Sequence, residues 1–189
     1  VHRILYNIDR IIHPSPEDKA AFENIIRQRT LQKNEYFLRE GEVCQKIAFI
    51  EKGSVRLYYD VEGKEICKDF LFENALIGSF ASFLSQMPSG VNIAAMEETL
   101  LLELEYQDVM HLFATYSSWQ KLGHIIVQDQ FVRAECREAS LLKDPPEVRY
   151  KNLIEEHPKV FKRVPLQYIA SYLSITPETL SRYRSKSKR

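Results

Sequence analysis

The chain has 189 residues, 44% of them apolar, and balances 26 basic against 26 acidic side chains to a formal charge of zero. It is long enough for one large domain or two modest ones, its overall charge points to no polyanionic partner, and no apolar run reaches membrane-spanning length. Cys44, Cys67 and Cys136 are odd in number, far apart and without a Cys-x-x-Cys pair or His cluster, which excludes a disulfide framework, a zinc site and an iron–sulfur motif and suits a reducing cytoplasm.

Ser15-Pro16-Glu17-Asp18 opens the first predicted helix, with a capping hydroxyl, a proline at the first helical position and two acids near the positive helix end; Phe22, Ile25 and Ile26 form its buried stripe. After Thr30 the period changes. Residues 47–51, 55–59, 66–71, 92–96 and 99–104 read as short strands, with glycines at 41, 53, 63 and 78 mainly between them. Asp60-Val61-Glu62-Gly63 is a hairpin signal. The spacing predicts a sandwich or jelly roll. A short helix follows over 106–114 and a much longer one over 117–142. Within the longer one Leu122, Ile125, Asp129, Val132, Cys136 and Ala139 alternate steps of three and four, an a/d seam that pairs with a second copy of the helix. The competing reading is that this helix covers its own β-domain.

Asp144-Pro145-Pro146-Glu147 reads as a domain joint, Asp144 capping, Pro145 at the first helical position and Glu147 as a capping-box carboxylate. Beyond it Leu166, Ile169, Ala170 and Leu173 lie on one face of a helix. That helix must end before Pro177, which has no N–H to donate and would clash inside it. Thr176 then caps a second helix that turns Leu180 and Tyr183 inward and leaves Glu178, Ser181, Arg182 and Ser185 outward. Two short helices joined so tightly predict a helix-turn-helix whose second member enters a DNA major groove. From Phe161 onward Lys162, Arg163, Arg182, Arg184, Lys186, Lys188 and Arg189 stand against Glu178 alone, so this end is basic on a neutral chain.

A small N-terminal helix, a β-roll, a long helix and a C-terminal helix-turn-helix resemble the Crp/Fnr family of bacterial transcription regulators over nearly the whole length. IAFIEKGSVRLYY over residues 47–59, with Gly63, is similar to the family's early roll strands, and ETLSR over residues 178–182 to the start of its recognition helix. SFASFLS after Gly78 is similar to the branch found in Bacteroidetes-type bacteria. The resemblance implies an α+β chain: an antiparallel β-roll sensor over 1–115, a dimerisation helix over 116–143 and a DNA-binding unit over 144–189. It further implies a cytoplasmic homodimer on a palindromic double-stranded DNA operator, acting with RNA polymerase and requiring neither membrane nor metal. Thr176, Pro177, Glu178, Thr179, Ser181, Arg182 and Arg184 are the expected DNA-binding residues.

Two departures qualify these expectations. Relatives that bind cyclic nucleotides place Glu on the ribose and Arg on the cyclic phosphate, where this chain has Ser79 and Ser89; Gly78, Gly90 and Val91 complete the ligand-loop candidates. From 69 to 120 there is no Lys or Arg, and an anionic phosphate leaving water requires charge-assisted partners. Cyclic AMP is therefore not expected, and no cofactor is implied; another acid held by backbone N–H groups near Gly90, or by Arg56 or Lys68, and a packed ligand-free loop are the open alternatives. On the DNA side Pro177 replaces an Arg that in relatives reads a guanine. Outside the family, an enzyme on a cupin-like roll lacks the His ligands it needs, since 30–105 contains no histidine. A ligand- or partner-binding sensor whose helix-turn-helix does not bind DNA is the other alternative.

Overall fold

The computed structural model describes residues 2–186. In chain order it contains α1 (His2–Ile12), α2 (Pro16–Ile25), β1 (Arg27–Leu31), β2 (Tyr36–Leu38), β3 (Lys46–Lys52), β4 (Val55–Val61), β5 (Lys64–Leu71), β6 (Leu76–Ile77), α3 (Phe80–Ser85), β7 (Asn92–Ala95) and β8 (Thr99–Glu105). Six helices complete it: α4 (Tyr106–Thr115), α5 (Ser117–Lys143), α6 (Pro146–Glu156), α7 (Val160–Arg163), α8 (Leu166–Tyr172) and α9 (Pro177–Lys186). The strands form two antiparallel sheets, ordered β1-β8-β3-β6 and β2-β7-β4-β5. This is the expected α+β roll with a long helix beside it.

Alternation along the strands decides what lies inside the roll. On β4, Val55 and Leu57 join the core shared with Leu31, Ile50, Ile93 and Leu101, so Arg56 and Tyr58, which alternate with them, face the other side of the sheet. The β4–β5 hairpin turns on Glu62 (φ 54°) and Gly63 (φ 80°), the paired left-handed conformations of a two-residue loop matched to strand twist. Asp60 Oδ1 accepts the Gly63 N–H at 2.8 Å.

The helices close the roll's ends. Ser15 caps α2 by accepting the Asp18 N–H at 3.1 Å, and Phe22 stacks on Trp119 with ring centroids 4.6 Å apart. The Trp119 indole N–H donates to the Asp18 carbonyl at 3.0 Å, fixing the start of α5 to α2. The sequence reading began at Ser15 and missed α1, whose Ile4, Leu5, Ile8 and Ile12 are all buried and which packs against α5. Its correction at the domain joint is small: Pro145, not Asp144, occupies the cap of α6, no side chain caps it, and Asp144 instead offers its carbonyl to Arg149 at 2.7 Å.

A second hydrophobic cluster joins Tyr150, Leu153, Val160, Val164, Ile169, Ala170, Leu173 and Leu180 to Cys67, Phe70 and Met96 on the outer face of the second sheet. The C-terminal helices therefore lie on the roll rather than apart from it.

Candidate functional site

The predicted helix pair forms from α8 and α9. Ile169, Ala170 and Leu173 are buried as the stripe requires, while Leu166 is exposed. Ser174 takes a left-handed conformation (φ 54°) in the turn, and Ile175 N–H closes it on the Ala170 carbonyl at 3.0 Å. Thr176 caps α9: its Oγ1 accepts the Thr179 N–H at 3.3 Å, and its carbonyl accepts the Leu180 N–H at 3.1 Å. Leu180 is fully buried and Tyr183 half-buried, with the Tyr183 ring 5.5 Å from that of Tyr150. Pro177, Glu178, Ser181 and Arg182 are exposed, Thr179 and Arg184 half-buried. Its own backbone N–H and the Thr176 hydroxyl hold the Glu178 carboxyl below the usual range, so it presents a charged acceptor at the helix start.

The ligand-loop candidates have their polar groups satisfied from within. Ser89 Oγ donates to the Val91 carbonyl at 2.9 Å and accepts the Val91 N–H at 3.1 Å. Ser89 N–H donates to the Glu42 carbonyl, and the Ser89 carbonyl accepts from Gly41, both at 2.8 Å. Ser82, on α3, accepts the Cys44 N–H at 2.9 Å and donates to the Met87 carbonyl at 2.5 Å. Ser79 is buried at the start of α3, and Gly78 lies where a Cβ would approach Ile47 Cγ2 to 2.8 Å. Among the described residues no buried side-chain nitrogen or oxygen lacks a partner, and no group of three His, Cys, Asp or Glu is arranged to hold a metal.

The six seam residues of α5 divide. Leu122 is buried and Ile125 packed in the chain's own core, Ala139 is half-buried, and Asp129, Val132 and Cys136 are exposed. Val127, Phe131, Leu141 and Leu142 are exposed beside them, Phe131 by 66% and Leu142 by 80%. Val127, Phe131, Ala134, Glu138 and Leu141 also step by four and three, so an apolar stripe on a neighbouring face of α5 is open to solvent.

Residues 28–116 match the cyclic nucleotide-binding domain. The chain is similar in fold to FixK2 from Bradyrhizobium japonicum, with a TM-score of 0.75, 17% identity and coverage of 86% of this chain and 84% of that one. A CooA mutant from Carboxydothermus hydrogenoformans gives 0.70 and 16%, over 94% and 82%. CLP, the c-di-GMP responsive global regulator of Xanthomonas campestris, gives 0.69 and 15%, over 92% of each chain. No curated protein matches by sequence.

The loop over 78–91 does not fit a cyclic phosphate. It carries no cation, its Ser89 hydroxyl and the N–H groups of Ser89 and Val91 are already engaged, and Arg56, the guanidinium the sequence offers for it, is turned to the outer face of the sheet. Arg56 lies on the outer sheet face in a bidentate pair with Glu65, both contacts 3.0 Å, with its guanidinium 4.6 Å from the Tyr168 ring centre. Lys68 is exposed, its ammonium 5.9 Å from the Tyr59 ring centre.

Sequence reasoning also assigned Arg163 to the basic, DNA-facing end. In the structure it is bound to Glu73 and Glu97 of the roll. The signal was present: a stretch from 69 to 120 with acids and no cation must find its partners elsewhere in the chain. Lys188 and Arg189 of the basic end lie outside the described residues.

Proposed function

We propose that the chain is a sequence-specific DNA-binding transcription regulator of the Crp/Fnr type, a homodimer that reads a palindromic operator. The observation that carries this reading is α9: a helix capped by Thr176 and anchored by Leu180, with Glu178, Ser181 and Arg182 exposed on the opposite face. Glu178 accepts from a cytosine amino group and Arg182 donates in bidentate fashion to a guanine edge, a contact worth about 1–3 kcal/mol of discrimination. Thr176, Thr179, Ser181 and Arg184 hold phosphates and fix the register. Pro177 offers no side-chain donor, so the base that relatives read with Arg is read weakly or not at all. The likeness of fold to a global regulator supports this assignment.

In this reading residues 1–115 form the sensor roll, 116–143 the pairing helix and 144–189 the DNA unit. Two copies pair along the exposed stripe of Val127, Phe131 and Leu141, with Leu122 and Ile125 given over to the chain's own core. The protein works in the cytoplasm with RNA polymerase, is not an enzyme, and belongs to the Bacteroidetes-type branch. No helix among the described residues is long and apolar enough to cross a membrane. The roll does not answer to cyclic AMP.

Selection of bound sequences from random duplex DNA tests the assignment. A palindrome is expected to enrich, with log affinity falling against log salt at about −0.9 per phosphate neutralised. Arg182→Ala is expected to weaken the selected operator far more than random DNA, and equal loss on both removes Arg182 from base reading.

A further inference from the structure

Where the β3–β4 turn meets the loops after β5 and β7, the roll gathers an anionic corner. Gly53 is held there with φ +101°, its backbone so close to Thr99 that a Cβ would lie 2.5 Å from Thr99 Oγ1. Glu73 Oε1 accepts the Gly53 N–H at 3.2 Å, and Glu97 Oε1 accepts the Ser54 hydroxyl at 2.6 Å. Both carboxylates are thus aimed by the roll itself. Into this corner α7 inserts one side chain, Arg163. Its Nη1 donates to Glu73 Oε2 at 2.7 Å and its Nη2 to Glu73 Oε1 at 2.9 Å, a bidentate fork, while Nη2 also reaches Glu97 Oε1 at 2.5 Å and the Gly53 carbonyl at 3.2 Å. The Phe72 ring centre lies 5.0 Å from the guanidinium carbon. A planar guanidinium with several donors matches this set of acceptors, and a point charge does not.

A second polar contact lies on the far side of α8. Strand β5 is the free edge of its sheet, and Ser171 joins it as a neighbouring strand would: its Oγ accepts the Cys67 N–H at 2.9 Å and donates to the Glu65 carbonyl at 3.0 Å. Between these two contacts Phe70 packs on Tyr172, ring centres 5.4 Å apart. The long helix joins the same junction, with Arg137 over the Tyr172 ring at 3.8 Å and Arg133 at 3.6 Å from Asp69. Rotation of α8 and α9 against the roll is therefore opposed at both ends, while Glu178, Ser181 and Arg182 remain exposed.

We infer that Arg163 is a positioning residue which sets the spacing between the two half-sites of the operator without touching a base. The inference rests on the DNA-binding reading. In a symmetric pair the distance between reading helices must match the separation of the half-sites. One added base pair turns a half-site by about 35° and moves it by about 3.4 Å, more than a pinned helix can follow. Without Arg163 the helix pair keeps its own core, its reading face and its apolar contacts with Cys67, Phe70 and Met96, but its directional polar contacts with the roll remain at the Ser171 end only. It then tolerates altered spacing and gives up affinity for the correct spacing, because ordering is left to the moment of binding.

The test compares wild type, Arg163→Ala, Arg163→Lys and the charge exchange Arg163→Glu with Glu73→Arg, as full chains. Hydrogen exchange at the Cys67 amide, which needs no DNA, is expected to quicken about tenfold in Arg163→Ala, and an unchanged rate overturns the pin. On the selected operator and on versions with the spacer one base pair longer or shorter, wild type is expected to discriminate by about tenfold or more and Arg163→Ala by about threefold or less, with single half-site affinity unchanged. Arg163→Lys is expected to fall between, and the charge exchange to recover discrimination. An Arg163→Ala chain that discriminates as wild type does, or that loses half-site binding in parallel, overturns the positioning role alone. A wild-type chain that enriches no operator overturns the DNA-binding reading and the role in spacing with it.

Discussion

The loop from 78 to 91 and the corner at Gly53, Glu73 and Glu97 belong to the same roll, and they satisfy their polar groups in opposite ways. The loop is closed on itself: Ser89 serves Val91 and Glu42 serves Ser89. The corner is open and charged until Arg163 arrives from more than sixty residues downstream. A loop with no cation offers a phosphate no charge-assisted partner, and its Ser89 hydroxyl and the Ser89 and Val91 amides are spent on neighbouring backbone. Carboxylates held together by the Gly53 N–H and the Ser54 hydroxyl cannot satisfy one another, since like charges repel, and they recruit a guanidinium from another part of the fold. The loop is thus the quiet region of the roll, and the charged contact between the roll and the C-terminal helices lies on its outside.

The largest test of this contrast uses two glycines. Gly53→Ala places a Cβ 2.5 Å from Thr99 Oγ1 and 2.7 Å from the Glu98 carbonyl, in a left-handed conformation, and is expected to cost about 3 kcal/mol or more in urea denaturation. Gly78→Ala meets only Ile47 Cγ2 inside 3 Å, a side chain able to move, and is expected to cost about 1–3 kcal/mol. The reverse order would make the loop the stiffer of the two sites.

Acid titration follows. The Arg163 fork, ahead of the Gly53 N–H, draws the Glu73 carboxyl from 4.5 down to about 2. A depressed carboxylate contributes stability that is whole above its unfolded pKa and is lost as pH falls through the folded one. Melting temperature should therefore drop between about pH 4.5 and 2 as Glu73 is protonated. Arg163→Ala, which removes charge-assisted bonds worth about 1.5–3 kcal/mol, should be less stable at neutral pH and lose most of that slope. Equal slopes in the two proteins would place the acid sensitivity elsewhere. Ser89→Ala ranks below these: it removes the Val91 contacts at a cost of about 1 kcal/mol, visible as a small shift of the urea midpoint. The smallest effect is expected from cyclic AMP itself. At about 1 mM it should raise stability by less than about 0.4 kcal/mol, the value for half-saturation at that concentration, and a larger rise would return the loop to service as a nucleotide site.

Local chemistry carried the sequence reading furthest. The Thr176-Pro177 helix start, the stripe of Ile169, Ala170 and Leu173 and the Asp60 to Gly63 hairpin are each fixed by a few adjacent residues and are legible, whereas Leu166, at the open end of the stripe, is exposed. The sequence places a strand at 55–59 but does not show that the outward face of β4 is covered by α8, so Arg56 is open to being read as a ligand for an acid. Arg163 was counted by charge alone, and charge does not reveal a partner ninety residues away. The seam on α5 is ambiguous for a related reason: Leu122 and Ile125 have the right spacing for a pairing helix, and the same spacing serves a helix that packs on its own roll, as these two residues do, while Asp129, Val132 and Cys136 are exposed. Helix α1 was missed because its apolar residues begin before any capping signal.

Ser171 has one more consequence. Unpaired edge strands are templates for the edge of another molecule, and proteins cover or charge them to prevent intermolecular sheet growth. Here the covering is done by α8, whose hydroxyl occupies the bonding positions at Glu65 and Cys67 on β5. A chain truncated before α8 would present that edge together with Cys67, Phe70 and Met96, and would be expected to self-associate into sheet-rich aggregates. The helix that packs beneath α9 is in this sense also the roll's guard against itself.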